Sequence, residues 1–293
     1  MALHKLAVVL SAVSRVFGAS LTQVTNFGEN PTKIQMFEYV PDKLTESPAI
    51  IVNLHPCGGS ATSWFRGTRM PSYADQLGFI LIYPGTTNMN NCWDVQSEGS
   101  LTHGKGGDAL AIVNMVDYAL KTYSGDPEHV YVMGSSSGAM MTNVLAGSYP
   151  DVFEAGSAYS GVAHACFAGA PSATPMSPNQ TCAQGLTHTP EEWAAFVHNS
   201  YPGYEGRRTR MQIWHGNSDF LVRPQCAVEA LKQWSAVWGE TNTKNVTGVP
   251  SAAYTQILFG DNGANVMGFF GQGVGHTAPV NEEFTLRFFG LMD

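Results

Sequence analysis

The sequence predicts an α/β fold with a mostly parallel central sheet flanked by helices on both faces. Apolar runs of strand length recur along the chain, and stretches with helical spacing of apolar residues lie between several of them. Strands that alternate with such helices imply a parallel sheet covered on both sides. Size agrees: 293 residues, 44% hydrophobic and 11% aromatic, suffice for one large core.

The elements follow in order. MALHKLAVVLSAVSRVFGAS has a short head with Lys5, an apolar run from Leu6 to Val13, and small residues at Gly18 and Ala19, which together read as a secretory signal over 1–19. Residues 20–293 are then expected to form a single domain, with no repeat, no Ser/Thr/Pro-rich linker and no appended carbohydrate-binding module. Strands are expected at 34–40, 49–55, 79–84, 129–134, 155–161, 210–216, 254–259 and 265–270. Helices are expected at 108–123, 138–149 and 226–239, with one more closing the chain. The stretch from about 162 to 206 is rich in Pro, Ser, Thr and Ala and long for a connection. It is expected to be an insertion over the mouth of the site, with a short helix beginning near Glu191.

A net charge of −8 gives no basic footprint for nucleic acid, and 13% charged residues leaves a surface of Ser, Thr, Asn and Gly suited to uncharged polar partners. After the signal, no stretch approaches the roughly 18 apolar residues of a membrane helix. Secretion implies that most of the five cysteines pair, and none lies in a CxxC zinc or redox pattern. The sequons at Asn179 and Asn245 fit the same compartment as N-glycosylation acceptors.

Residues 134–138 read Gly-Ser-Ser-Ser-Gly, after a strand pattern and before a helical one. In a G-x-S-x-G turn the glycines let the backbone pass tightly while the middle serine projects above the sheet edge, so register selects Ser136 as a nucleophile. A serine hydroxyl needs an imidazole to take its proton, and the imidazole needs an acid to fix its tautomer. In such α/β enzymes the chain order is Ser, then the acid, then His. Of His164, His188, His198, His215 and His276, only His276 stands in a Gly-rich loop after a strand and before the last helix. Asp219, in the loop after RMQIWHG, is the preferred acid; Asp261 competes, but Asp261-Asn262-Gly263 between two strands reads as a turn. The oxyanion is expected to meet the backbone N–H groups of Ser137 and of Cys57, the latter in the early loop LHPCGGSAT.

These residues carry a family resemblance. CWDV (92–95), SLTHGKGGD (100–108), GSSSGAMMTNVLAGSYPDVF (134–153), SAYSGV (157–162), TCAQG (181–185), PEEWA (190–194), MQIWHG (211–216) and GVGHTAPV (273–280) resemble the fungal acetyl xylan esterases of carbohydrate esterase family one. That family also holds feruloyl esterases, and the polyhydroxybutyrate depolymerases are similar. The resemblance spans the chain after the signal and implies a secreted α/β-hydrolase with its triad on Ser136, Asp219 and His276. It implies removal of acetyl groups from acetylated xylan or xylo-oligosaccharides, with no metal, no cofactor, no membrane and a monomeric state. One departure is Pro56 before Cys57: proline has no N–H to donate, while Cys57 does.

Within that framework Cys57 and Cys92 are expected to be bridged. Cys166 and Cys182 are expected to pair across the insertion, leaving Cys226 free, with the other pairings of those three still open. Trp93 is a candidate for stacking on a sugar face, with core packing as its equal alternative. Two other functions remain: a feruloyl esterase of the same family, and a catalytically dead cell-wall binding protein that keeps the fold.

Overall fold

A computed structural model describes residues 19–171 and 181–293. The expected signal, apart from its last residue, and the sequon at Asn179 lie outside the described residues. The strands are β1 (Thr22–Val24), β2 (Gln35–Tyr39), β3 (Ile50–Leu54), β4 (Ile80–Gly85), β5 (Val130–Ser135), β6 (Ala155–Tyr159), β7 (Arg210–Gly216), β8 (Asn242–Thr247), β9 (Tyr254–Phe259) and β10 (Val266–Gly271). They form one ten-stranded sheet in the order β1-β2-β4-β3-β5-β6-β7-β10-β9-β8. The run from β4 to β10 is parallel, and antiparallel pairs close both ends. The fold is the α/β-hydrolase fold.

The helices are α1 (Ala61–Gly67), α2 (Met70–Leu77), α3 (Glu98–Leu101), α4 (Gly107–Tyr123), α5 (Ser137–Ser148), α6 (Pro190–Ser200), α7 (Gln225–Trp238) and α8 (Glu282–Phe289). Residue alternation on β7 shows how they divide. Met211 and Ile213 pack with Ala227, Leu231 and Trp234 of α7, while Trp214 faces the other way onto Phe284 of α8. Each apolar strand face thereby meets a helix, and a fully buried large side chain contributes about 1.5–3 kcal/mol. Polar groups caught between the layers are paired: the Trp214 indole N–H and the Ser157 hydroxyl both donate to Gln212 Oε1, at 2.8 and 2.9 Å.

The structure departs from the sequence expectation at the margins. β1 and β8, TQV and NTKNVT, are sheet-edge strands with little apolar face, so neither shows the alternation that reveals a strand. The long connection keeps the helix expected near Glu191. Thr189 caps it by accepting from Glu192 N–H, Glu192 reciprocates toward Thr189 N–H, and Pro190 occupies the first turn. Its buried face, Trp193 and Val197, packs with α5 and α7, so this helix belongs to the outer layer rather than to a cover over the mouth. Disulfides join Cys57 to Cys92 and Cys166 to Cys182, and Cys226 is a buried free thiol.

His164 gives the fold an acid-sensitive point. It is wholly buried against Ser200, Nε2 to Oγ 2.6 Å, and burial pushes its imidazole down from the ordinary 6.5 to about 4. Below pH 6.5 the unfolded chain binds a proton that the folded chain refuses. The stabilisation is therefore full above pH 6.5, is lost progressively as pH falls, and is gone below about 4, a contribution on the order of 3 kcal/mol. The melting temperature should drop between pH 7 and 4.5, and His164→Gln should flatten that slope. Equal slopes in the two proteins would exclude His164 as the titrating group.

Candidate active site

The site lies where β3, β5, β7 and β10 end at one edge of the sheet. Being parallel, these strands release their following loops on the same side, and each loop carries one expected residue: Cys57, Ser136, Asp219 and His276.

Ser136 stands between β5 and α5 with φ +53° and ψ −119°, a backbone conformation that a non-glycine residue adopts only under constraint. The constraint is visible. Ser136 N–H donates to Tyr159 O at 2.8 Å, and Ser136 O accepts from Met140 N–H at 2.9 Å. A Cβ on Gly134 would meet the Gly138 carbonyl, and one on Gly138 would meet the Leu54 carbonyl, so both glycines are needed for the turn to close. These contacts are the physical content of the G-x-S-x-G spacing.

His276 Nε2 lies 2.8 Å from Ser136 Oγ, and His276 Nδ1 lies 2.7 Å from Asp219 Oδ2. Asp219 is 1% exposed. Burial opposes its ionisation, but the His276 hydrogen bond, the Val222 N–H and the neighbouring imidazoles outweigh burial and hold the carboxyl below the usual range. A carboxylate only accepts, so Nδ1 carries the proton and the Nε2 lone pair faces the serine hydroxyl. The arrangement can take a proton from Ser136 as the oxygen attacks an electrophilic carbon.

Several residues not singled out from the sequence hold this line in place. Ser218 N–H donates to Val274 O, Gly273 N–H to Asn217 Oδ1, and Asn217 N–H to Gly271 O, stitching the acid loop to the histidine loop. Ser160 Oγ accepts from Ala278 N–H at 2.9 Å, just past His276. The signal for Ser160 is in SAYSG, a polar pair at a strand end before glycine; Asn217 and Ser218 carry no pattern of their own.

On the oxyanion side, Ser137 opens α5, where first-turn N–H groups have no intrahelical partner, and Cys57 follows β3. The Cys57–Cys92 bridge and Gly58 N–H to Asn90 O bind the Cys57 loop to the next one. For Trp93 the structure favours the second of the two expectations, core packing. It is 1% exposed, its indole N–H donates to His55 O at 2.8 Å, and its backbone N–H donates to Ser137 Oγ at 2.8 Å. With both ring faces packed and its one polar group satisfied, Trp93 braces the oxyanion loop from beneath and offers no face to a sugar. Asp261 sits in the turn between β9 and β10, where Gly263 N–H closes on Phe259 O. Among the described residues no group of His, Cys, Asp and Glu is arranged to hold a metal ion.

A serine on a constrained strand-to-helix turn, backed in space by His276 and Asp219 with the chain order Ser, Asp, His, defines an α/β-hydrolase of the serine type. Comparisons with known proteins agree. The model of the family described as "Esterase PHB depolymerase" matches residues 36–242. Feruloyl esterase B of Neurospora crassa is 68% identical over 275 residues, 94% of each chain. Acetylxylan esterase A of Emericella nidulans is 43% identical over 92% of this chain and 89% of its own. Among solved structures, the acetyl xylan esterase from Aspergillus awamori superposes with a TM-score of 0.87 at 41% identity, covering 93% of this chain and 99% of that one. The chain belongs to the esterase PHB depolymerase family and is a carboxylic ester hydrolase.

Proposed function

We propose that the protein is a secreted serine esterase that releases acyl groups from decorated xylan, acetyl groups among them, through an acyl-enzyme on Ser136. The observation that carries this reading is the continuous line of hydrogen bonds from Ser136 through His276 to Asp219, at 2.8 and 2.7 Å. His276 takes the hydroxyl proton as Ser136 Oγ attacks the ester carbonyl, and the N–H groups of Ser137 and Cys57 receive the oxyanion. The imidazolium then protonates the departing sugar oxygen, and water repeats the sequence on the acyl-enzyme. An intact line of three groups that folding does not require speaks against a dead binding protein.

Two disulfides fit an oxidising compartment, no helix among the described residues is long and apolar enough to cross a membrane, and Asn245 is exposed on edge strand β8, open to a glycan.

The acetyl reading has the support of relatives named acetylxylan esterase. A feruloyl ester is the second reading, and two observations favour it. The 68% identity to a protein named feruloyl esterase B stands well above the 43% to the acetylxylan esterase. Phe220 and Leu221, 76% and 45% exposed, follow Asp219 directly and place apolar surface next to the acid of the triad. Turnover of 4-nitrophenyl acetate and 4-nitrophenyl ferulate, which share a leaving group, isolates the acyl preference. Burial of the ferulate ring worth one or two kcal/mol would raise its kcat/KM roughly tenfold. That ratio assigns the feruloyl ester, the reverse ratio assigns the acetyl ester, and release of acid from neither ester nor from decorated xylan overturns the proposal.

A further inference from the structure

A second buried imidazole lies against the acid of the triad. His215, near the end of β7, has a side chain with no exposure, and its Nε2 is 2.9 Å from Val222 O and 3.5 Å from Asp219 Oδ2. A carbonyl oxygen can only accept, so Nε2 carries the ring proton. Nδ1 is buried with no hydrogen-bond partner. A proton added there would be a buried donor with nothing to receive it, so the ring stays neutral and cannot pass protons onward. Burial lowers its basicity in the same sense.

Val222 ties the two observations together. Its N–H donates to Asp219 Oδ1 at 2.9 Å, beside Leu221 N–H at 3.0 Å, while its carbonyl is the one His215 grips. The loop from Asp219 to Val222 is thus closed on itself through one carboxylate oxygen and pinned to β7 through His215. The other carboxylate oxygen faces two N–H groups, a close one from His276 and a longer one from His215. The remaining ionisable groups around it leave this arrangement unchallenged. Cys226 on α7 is a neutral thiol held toward Cys182 O at 3.2 Å, its acidity suppressed by burial, and Arg223 turns outward to Gln184 Oε1.

We propose that His215 is a positioning residue for the reaction: a neutral imidazole whose Nε2–H, bonded to Val222 O and 3.5 Å from Asp219 Oδ2, keeps the carboxylate ionised and aimed at His276 Nδ1. The inference rests on Asp219 as the acid of the triad. It differs from that assignment in what must be kept at position 215, which is one neutral donor at the reach of Nε2, and nothing that titrates.

The test compares His215→Met, which removes the donor, with His215→Gln, whose amide nitrogen reaches the Nε2 position, using a small ester such as 4-nitrophenyl acetate. His215→Met should lower kcat about ten- to a hundred-fold, the range for leaving a buried acceptor, here Val222 O beside the carboxylate, without its donor, with KM within twofold. It should also move the acid limb of kcat/KM to higher pH, because a carboxylate stripped of that N–H holds the His276 imidazolium proton more tightly. His215→Gln should restore most of kcat and the original limb. A folded His215→Met with wild-type kcat and limb overturns the proposal, as does a folded His215→Gln impaired as badly as His215→Met. If His215→Met does not fold, His215→Asn replaces it: its shorter amide should fail where Gln succeeds, and equal activity of the two amides overturns the proposal. Asp219→Asn measured alongside separates the two levels. Retained activity there removes the acid assignment itself, whereas lost activity there with an unaffected His215→Met removes only the role of His215.

Discussion

Ser136→Ala should lower kcat on the order of 10⁶-fold while leaving the fold intact, the size of loss seen when a serine hydrolase is deprived of its nucleophile. The loss is that large because Ser136 Oγ forms and breaks the covalent bond; the oxyanion donors and the substrate-binding surface remain, but they have no nucleophile to assist. The fold survives because what constrains residue 136 is its backbone. Ser136 N–H to Tyr159 O, Met140 N–H to Ser136 O, and the close approach of Gly134 and Gly138 are all independent of the hydroxyl. The variant forfeits one hydrogen bond, to His276, worth about 1 kcal/mol. Circular dichroism and melting temperature should match the parent, and a fluorophosphonate probe should label the parent but not the variant. Activity above a few per cent of the parent in a preparation free of contaminating esterase would mean that another group is the nucleophile.

The parts of the site that were legible in the sequence are those where backbone geometry limits the residue. Gly134 and Gly138 cannot be replaced without meeting a carbonyl, so the turn writes itself into the chain as G-x-S-x-G, and register then selects Ser136. His276 was legible because its glycine-rich loop runs between β10 and α8, with Gly273 taking up a φ of +71° that favours glycine. The central strands were legible because burial on both faces makes them continuous apolar runs, as in IIVNL and VYVMGS. Edge strand β8 was not, since one exposed edge and an exposed face leave polar residues free to occupy it.

Trp93 was left between two readings for a different reason. An indole beside an active-site loop is equally suited to stacking on a sugar and to packing beneath the loop, and composition cannot decide. The decision came from His55 O and Ser137 Oγ, acceptors that lie 38 and 44 residues away in the chain. His215 was hidden similarly. Next to last in RMQIWHG, it reads as one more strand residue, and its role depends on Val222 folding back over it. Roles of this kind are set by long-range pairing and leave no local periodicity.

Asp219→Asn should lower kcat on the order of 10⁴-fold at neutral pH, the loss that follows when the orienting acid of such a triad becomes an amide. The hydrogen bonds around Asp219 explain why so small a change costs so much. Oδ1 accepts from Leu221 N–H at 3.0 Å and Val222 N–H at 2.9 Å, and Oδ2 accepts from His276 Nδ1–H at 2.7 Å. Asparagine has one oxygen and one NH₂ group. Two backbone donors fix the oxygen at the Oδ1 position, so the NH₂ group is turned toward His276 and toward the Nε2–H of His215, 3.5 Å from that site. Donor then faces donor. His276 can relieve the conflict by moving its proton from Nδ1 to Nε2, but this places an N–H against Ser136 Oγ and removes the lone pair that must accept the serine proton. The backbone positions need not shift, so the variant should fold and bind substrate with nearly the parent KM. Asp261→Asn, altered in the turn between β9 and β10, should leave kcat unchanged. Should Asp219→Asn retain more than a tenth of the parent kcat, or Asp261→Asn lose as much as Asp219→Asn is expected to lose, the acid of the triad is not Asp219.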